Sequence, residues 1–331
     1  MALLSPSYVP LHLAALKSFL HYLPVLILEI EQQTCLDSVT VCFPICYVIN
    51  HANTYPAKGE DWEQLASGYE KMTYQTSKAP ISKMLERAHA LAPLSRATGV
   101  LDNGCGPGPI MTRIIEEYGS DVPGSCSLTC ADFSEGMIKQ VNLTKDKAPP
   151  ASPWKRVQTK VQNAMDLVDV ADDSMSHVFA GWVYFMTPEP QKCLSESRRV
   201  LRDDGVLSLS SWEDNQWMKI MGDVVKVRPD KQLPEVPAEW RSESGVGDEL
   251  MKAGFRDIET HRVTVHMDFD NHEGFVEFLV TKLPHMVHLT SDMPDEENKT
   301  MKALMVETLK SMCPSAPGQL EGVSIVCLGR K

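Results

Sequence analysis

Three glycines within five positions, Gly104, Gly106 and Gly108, sit between a short apolar run and a helical pattern in "GVLDNGCGPGPIMTRIIEEYG". Glycine lacks Cβ, so its backbone reaches positive φ and lets a ligand approach closely. A strand, a glycine turn and a helix in that order form a ligand cradle in open α/β sheets. The spacing is G-x-G-x-G, one residue off the dinucleotide fingerprint G-x-G-x-x-G. Alone it is also compatible with a tight turn.

The surrounding pattern decides the fold class. The stretch from Thr98 to Asp102 reads as a strand, and Ile110, Met111, Ile114, Ile115 and Tyr118 then fall on one helical face. "SCSLTCADFS" is the next strand and ends at Asp132. Ser134 is placed to cap the helix that follows. "WKRVQTKVQNAMDL" carries a third strand. "MSHVFAGWVYFM" is a fourth, almost continuously apolar, as a strand buried on both faces should be. "PEPQKCLSESRRVLRDDG" reads as a helix stopped by Gly205, and "VLSLSSW" as a fifth strand. Upstream, "WEQLASGYEKMTYQTSKAPISKMLERAHALAP" reads as two helical pieces broken at Pro80. Alternating strands and helices predict a doubly wound parallel sheet with helices on both sides.

The ends depart from this alternation. Residues 1–56 form an apolar extension with few charges, and the main domain spans 57–331. Lys17, His21, Pro24 and Glu29 argue against a membrane span, and no basic segment precedes the run as a signal peptide requires. An extra helix packed on the domain, a homodimer contact and a misassigned start all remain open. "RDIETHRVTVHMDF" and "GVSIVCLGRK" read as strands. Two stretches, about 213–240 and 271–319, fit no regular repeat and are candidates for a helical cap over the site.

Composition narrows the partners. The 331 residues carry a formal net charge of -12, which disfavours nucleic acid as a partner. Nine cysteines without C-x-x-C pairs argue against a disulfide framework or a zinc ribbon, and no metal-ligating pattern is present. A reducing, cytoplasmic setting fits.

Asp132 occupies the strand end that binds ribose hydroxyls in doubly wound folds, and a carboxylate accepts from two adjacent hydroxyls at once. A helix N-terminal charge is the plainer alternative. Phe133 is placed to cover a base. Trp182, Tyr184 and Trp212 lie at or just beyond strand ends, where they could line an apolar pocket. His285, in the suspected cap, is a candidate for reaching substrate. His177 begins the fourth strand, away from the ligand side, and reads as structural. No side chain stands out as a general base.

The set "LDNGCGPG", "CADFSEGMIKQ", "VQNAMDL", "VFAGWVYFM" and "RRVLRDDGVLSLSSW", in that order, resembles class I S-adenosylmethionine-dependent methyltransferases over roughly residues 60–331. Similarity is greatest to the small-molecule branch, such as quinone-type and fungal secondary-metabolite enzymes. The resemblance implies seven strands, mostly parallel, ending in an antiparallel hairpin near 257–269 and 322–330. It implies that Asp102 and the loop Gly104, Cys105, Gly106 and Gly108 hold the methionine part of S-adenosylmethionine, with Tyr69 reaching its carboxylate. Asp132 would bind ribose, Phe133 and Met137 would flank the adenine, and Asn163 and Ala164 would meet its amine. Asn163 stands where Asp is commoner. Gly181 and Trp182 would lie near the reactive methyl. The implied activity is methyl transfer to O, N or S of a small, partly apolar metabolite. A non-methylating regulator of the same fold is the alternative, and a nicotinamide-dependent oxidoreductase is disfavoured by the loop spacing and the terminal hairpin.

Overall fold

A computed structural model describes residues 66–331, with side chains absent from the description for 66–74 and Pro284. The apolar extension 1–56 lies outside the described residues.

A seven-stranded sheet organises the chain. In chain order its strands are β1 (Gly99–Asn103), β2 (Ser127–Asp132), β3 (Val157–Val161), β4 (Met175–Gly181), β5 (Leu201–Asn215), β6 (Arg256–Phe269) and β7 (Gly318–Arg330). Their spatial order is β3-β2-β1-β4-β5-β7-β6. The strands β1 to β5 run parallel, whereas β7 is antiparallel to both β5 and β6. The sheet is therefore doubly wound and ends in the hairpin that the family resemblance implied.

Helices cover both faces. Against one face pack α1 (Ala66–Leu91), α2 (Pro109–Tyr118) and α3 (Glu135–Lys147), which bury Met84, Leu85, Ile110, Ile114 and Val141 beside Val100 and Leu128. Against the other pack α4 (Pro190–Val200) and α7 (Glu243–Lys252), which bury Leu194, Val200, Val246 and Leu250 beside Leu101, Val178 and Leu207. Two short helices, α5 (Gln216–Met221) and α6 (Val224–Val227), precede α7. Three more, α8 (His272–Lys282), α9 (Pro284–Thr290) and α10 (Asp295–Met312), lie between β6 and β7. The two stretches that broke the alternation thus share a third core. It joins Trp217, Met221, Val224, Phe275, Met286, Met301 and Met305 to Val265, Phe269 and Leu320 of the hairpin. Among the described residues no helix is long and apolar enough to cross a membrane.

Three sequence expectations need correction. Pro80 does not break α1, which runs unbroken from Ala66 to Leu91. A proline inside a helix costs about 3 kcal/mol. Burying Ile81, Met84 and Leu85 returns about 1.5–3 kcal/mol for each side chain, so packing wins. The fourth strand stops at Gly181, because Trp182 turns to a φ of 54° and a short 3-10 turn follows at Tyr184–Met186. The helix α4 ends at Val200, and "LRDD" already belongs to β5, where Leu201 pairs with Met175.

Candidate cofactor site

The sheet order reverses where β1 lies between β2 and β4. Loops leaving the carboxyl ends of β1 and β4 turn to opposite faces there and open a crevice between them. The glycine loop leaves β1 at this fork. Gly104, Gly106 and Gly108 all have positive φ, at 72°, 53° and 91°. At Gly104 an added Cβ would lie 2.5 Å from Val183 Cγ2, so this glycine lets the two loops touch. At Gly106 no heavy atom lies within 4 Å of that position, so the loop is open on that side. The loop is pinned from behind: Gly104 and Cys105 donate their N–H groups to Ala131 O at 2.8 and 2.9 Å. Gly108 then starts α2, with Pro109 in the first turn, where the absent N–H has no partner to lose.

Two carboxylates meet the loop. Asp132, ending β2, accepts the Gly106 N–H at 2.8 Å and the Ser134 N–H at 2.9 Å. Burial raises its pKa, opposed by the N–H groups of Ser134, Gly106 and Phe133. Asp102, next to last in β1, is fully buried and among the described residues accepts only the Met111 N–H, at 3.3 Å. Its Oδ1 has no partner among the described residues. Burial lifts Asp102 to a pKa of about 7, against the pull of the Met111 N–H, and the Asp132 charge adds to the rise. An unpartnered buried carboxylate oxygen costs free energy unless a donor arrives. Combined with the open side of Gly106, it fits a ligand that carries a cationic donor.

Around the fork, Ser134 caps α3 by accepting the Met137 N–H, which leaves Phe133 exposed and Met137 buried in the first turn. Asn163 follows β3 as an exposed residue whose Oδ1 accepts the Met165 N–H, with Ala164 buried beside it. The Gln162 N–H bonds Asp132 O at 2.9 Å and ties this turn to the end of β2. Gly181 ends β4 with room for a Cβ only 3.1 Å from Ile110. Trp182 comes next. It donates its backbone N–H to Ser210 Oγ and its indole N–H to Ser324 Oγ, and stacks on Trp212 with centroids 5.5 Å apart.

Asp102, the glycine loop, Asp132, Phe133, Met137, Asn163, Ala164, Gly181 and Trp182 are therefore gathered at the carboxyl ends of β1 to β4. Three other candidates lie elsewhere or deeper. Tyr184 is fully buried, and its hydroxyl is taken by Asn103 Nδ2 and Ser197 Oγ. Trp212 bridges the second and third cores. His285 is on α9, with a buried Nε2 that has no partner among the described residues, and burial lowers its pKa to about 4. Tyr69 is on α1, in the part whose side chains are not described. His177 is buried in the core, bonded to Ala92 O and Ser176 Oγ. Reading the sequence missed Asn103, Ser210 and Ser324. Asn103 stood inside the quoted loop motif, whereas the two serines gave no signal, because a small polar residue in a strand has many roles.

Comparison with known proteins agrees with this geometry. The family model described as a methyltransferase domain matches residues 101–209, from β1 into β5. Methyltransferase ucsB of an Acremonium species is 38% identical over 283 residues, covering 85% of this chain and 98% of that protein. The chain belongs to the class I S-adenosylmethionine-dependent methyltransferases. Two further methyltransferases are similar to it. Methyltransferase tpcH of Aspergillus fumigatus is 28% identical over 243 residues, covering 70% of this chain and 84% of that protein. The acetylaranotin bis-thiomethyltransferase of Aspergillus terreus is 25% identical over 232 residues, covering 67% and 77%.

Proposed function

We propose that this methyltransferase moves a methyl group from S-adenosylmethionine to an O, N or S atom of a small, partly apolar metabolite. The observation that carries the reading is the buried Oδ1 of Asp102, without a partner among the described residues, on the strand that leads into the glycine loop. When bound, the cofactor supplies a methyl group made electrophilic by its sulfonium.

The protein's own part is to bind, orient and exclude water. Asp102 takes the ammonium end. Asp132 keeps its two backbone bonds and still has lone pairs for ribose hydroxyls. Phe133 and Met137 flank the adenine, with Asn163 and Ala164 at its edge. Gly181 and Trp182 stand at the methyl end, where Trp182, backed by Trp212, offers an apolar wall to the acceptor. Such positioning lowers a barrier by roughly 7–11 kcal/mol in favourable cases. A thiol or neutral amine needs little more, whereas an alcohol needs a base to take its proton. The name of the thiol-methylating relative favours sulfur among the three acceptor atoms. The helices of the third core, rich in methionine, are the candidate cap, because methionine adapts to varied apolar ligands.

Calorimetry with S-adenosylhomocysteine tests the cofactor site. Transfer from labelled S-adenosylmethionine into the small-molecule fraction of a host extract tests the activity. No binding, or binding indifferent to Asp132→Ala, sinks the reading.

A further inference from the structure

We propose that Ser324, in the C-terminal hairpin, is a positioning residue that holds Trp182 at the methyl end of the site. The proposal rests on the reading of Trp182 as a wall of the cofactor site.

Trp182 has a φ of 54°. A bulky aromatic residue in the left-handed region is strained and persists only where its surroundings fix it. Here three contacts do so. The backbone N–H is held by Ser210 Oγ at 3.1 Å. The indole N–H is held by Ser324 Oγ at 3.2 Å. The ring lies on Trp212, 5.5 Å between centroids and 23° from parallel.

Two of these contacts share one origin. In the antiparallel pair of β5 and β7, Trp212 and Ser324 are register partners. A single rung of the ladder thus grips the indole by its face and by its edge. Ser324 is fully buried and donates its own hydroxyl to Ser211 O at 3.0 Å. Its proton is committed to β5, so a lone pair is left facing the indole N–H. Only a hydroxyl both donates and accepts from one atom in this way. The grip continues along the hairpin. Trp217 meets Trp212 edge-on at 5.4 Å, and Gly322 leaves room for it, since a Cβ there would lie 2.6 Å from Trp217. The hairpin, which supplies no loop to the glycine cradle, thereby sets where the segment after β4 stands.

The test uses the full-length protein, with S-adenosylhomocysteine as the probe and far-ultraviolet circular dichroism of the ligand-free protein as a second readout. Trp182–Trp212 and Trp212–Trp217 are both close enough for exciton coupling, so the couplet is read as the part of the signal that Trp182→Phe removes. Ser324→Ala is expected to shrink that couplet and to weaken S-adenosylhomocysteine about tenfold, the size of one lost hydrogen bond. Ser324→Thr keeps the hydroxyl and is expected to restore both. In a Trp182→Phe background, which has no indole N–H, Ser324→Ala is expected to add nothing, so the double-mutant cycle shows full coupling. Equal losses in both backgrounds, or an intact couplet with unchanged affinity in Ser324→Ala, overturn the proposal. A wild-type protein that fails to bind S-adenosylhomocysteine overturns instead the reading of the site on which it rests.

Discussion

Gly106 donates its backbone N–H to Asp132 Oδ2 across 2.8 Å, so the tip of the glycine loop is tied to the end of the neighbouring strand. The carboxylate shapes the cradle, and in the proposed function it also offers acceptors to the ligand. Asp132→Ala should remove both functions and weaken S-adenosylhomocysteine by at least ~30-fold, the scale of charge-assisted bonds. Asp132→Asn should recover little, because its amide turns an N–H donor toward the N–H of Gly106 or Ser134. Calorimetry on both variants checks this, and near wild-type affinity in Asp132→Asn would refute the double role.

The glycines of the loop should differ in what they tolerate. Gly104→Ala combines a φ of 72° with a Cβ pressed on Val183, so it should lower the melting temperature clearly. Gly106→Ala has open space around its Cβ and should cost the fold only about 1 kcal/mol, from its positive φ. Its methyl group would instead occupy the open side of the cradle and reduce cofactor affinity. Thermal melts and calorimetry separate the two, and a Gly106→Ala protein that binds normally would contradict the placement.

Asp102 should make cofactor binding release a proton. Burial raises its pKa to about 7, and an ammonium group beside it favours the ionised form. At pH 6 the binding enthalpy should therefore vary with the ionisation enthalpy of the buffer. The variation should fade above pH 8 and vanish in Asp102→Asn. The stability sign follows from the same shift. A raised folded-state pKa contributes stability that is full below about pH 4, and it is lost as pH rises through about 7. Asp102→Asn should thus gain on the wild type in melting temperature from pH 4 to pH 8.

Two buried histidines should act in the opposite direction. Burial lowers both His177 and His285 to a pKa of about 4. The stability tied to their neutral forms is present above about pH 6.5 and lost as pH falls toward 4. The variants should nevertheless differ. His177 bonds through both ring nitrogens, so His177→Leu strands partners and should cost about 1–3 kcal/mol. His285 Nε2 has no partner among the described residues, so His285→Leu should be near neutral or stabilising and should flatten the acid limb of the melting curve. A large destabilisation by His285→Leu would contradict this. Lost turnover at full stability would mark His285 as an acceptor contact.

The doubly wound sheet and the glycine cradle are legible in the order of the amino acids alone. Both rest on local signals: the apolar runs of β1 and β4, the helical spacing after Gly108, and Asp132 at a strand end. Hydrophobic period and glycine content act within a few residues and survive in a one-dimensional reading. Tertiary structure decided what depends on distant partners. Pro80 passes through an unbroken helix because the face after it is buried against the core. The strand β4 ends at Gly181 because Trp182 is gripped by Ser210 and Ser324. Asp102 is poised near neutrality because packing buries it and leaves one oxygen without a donor. Burial and long-range hydrogen bonds are properties of the assembled chain, so Ser324 acquires its place at the site only when β7 pairs with β5.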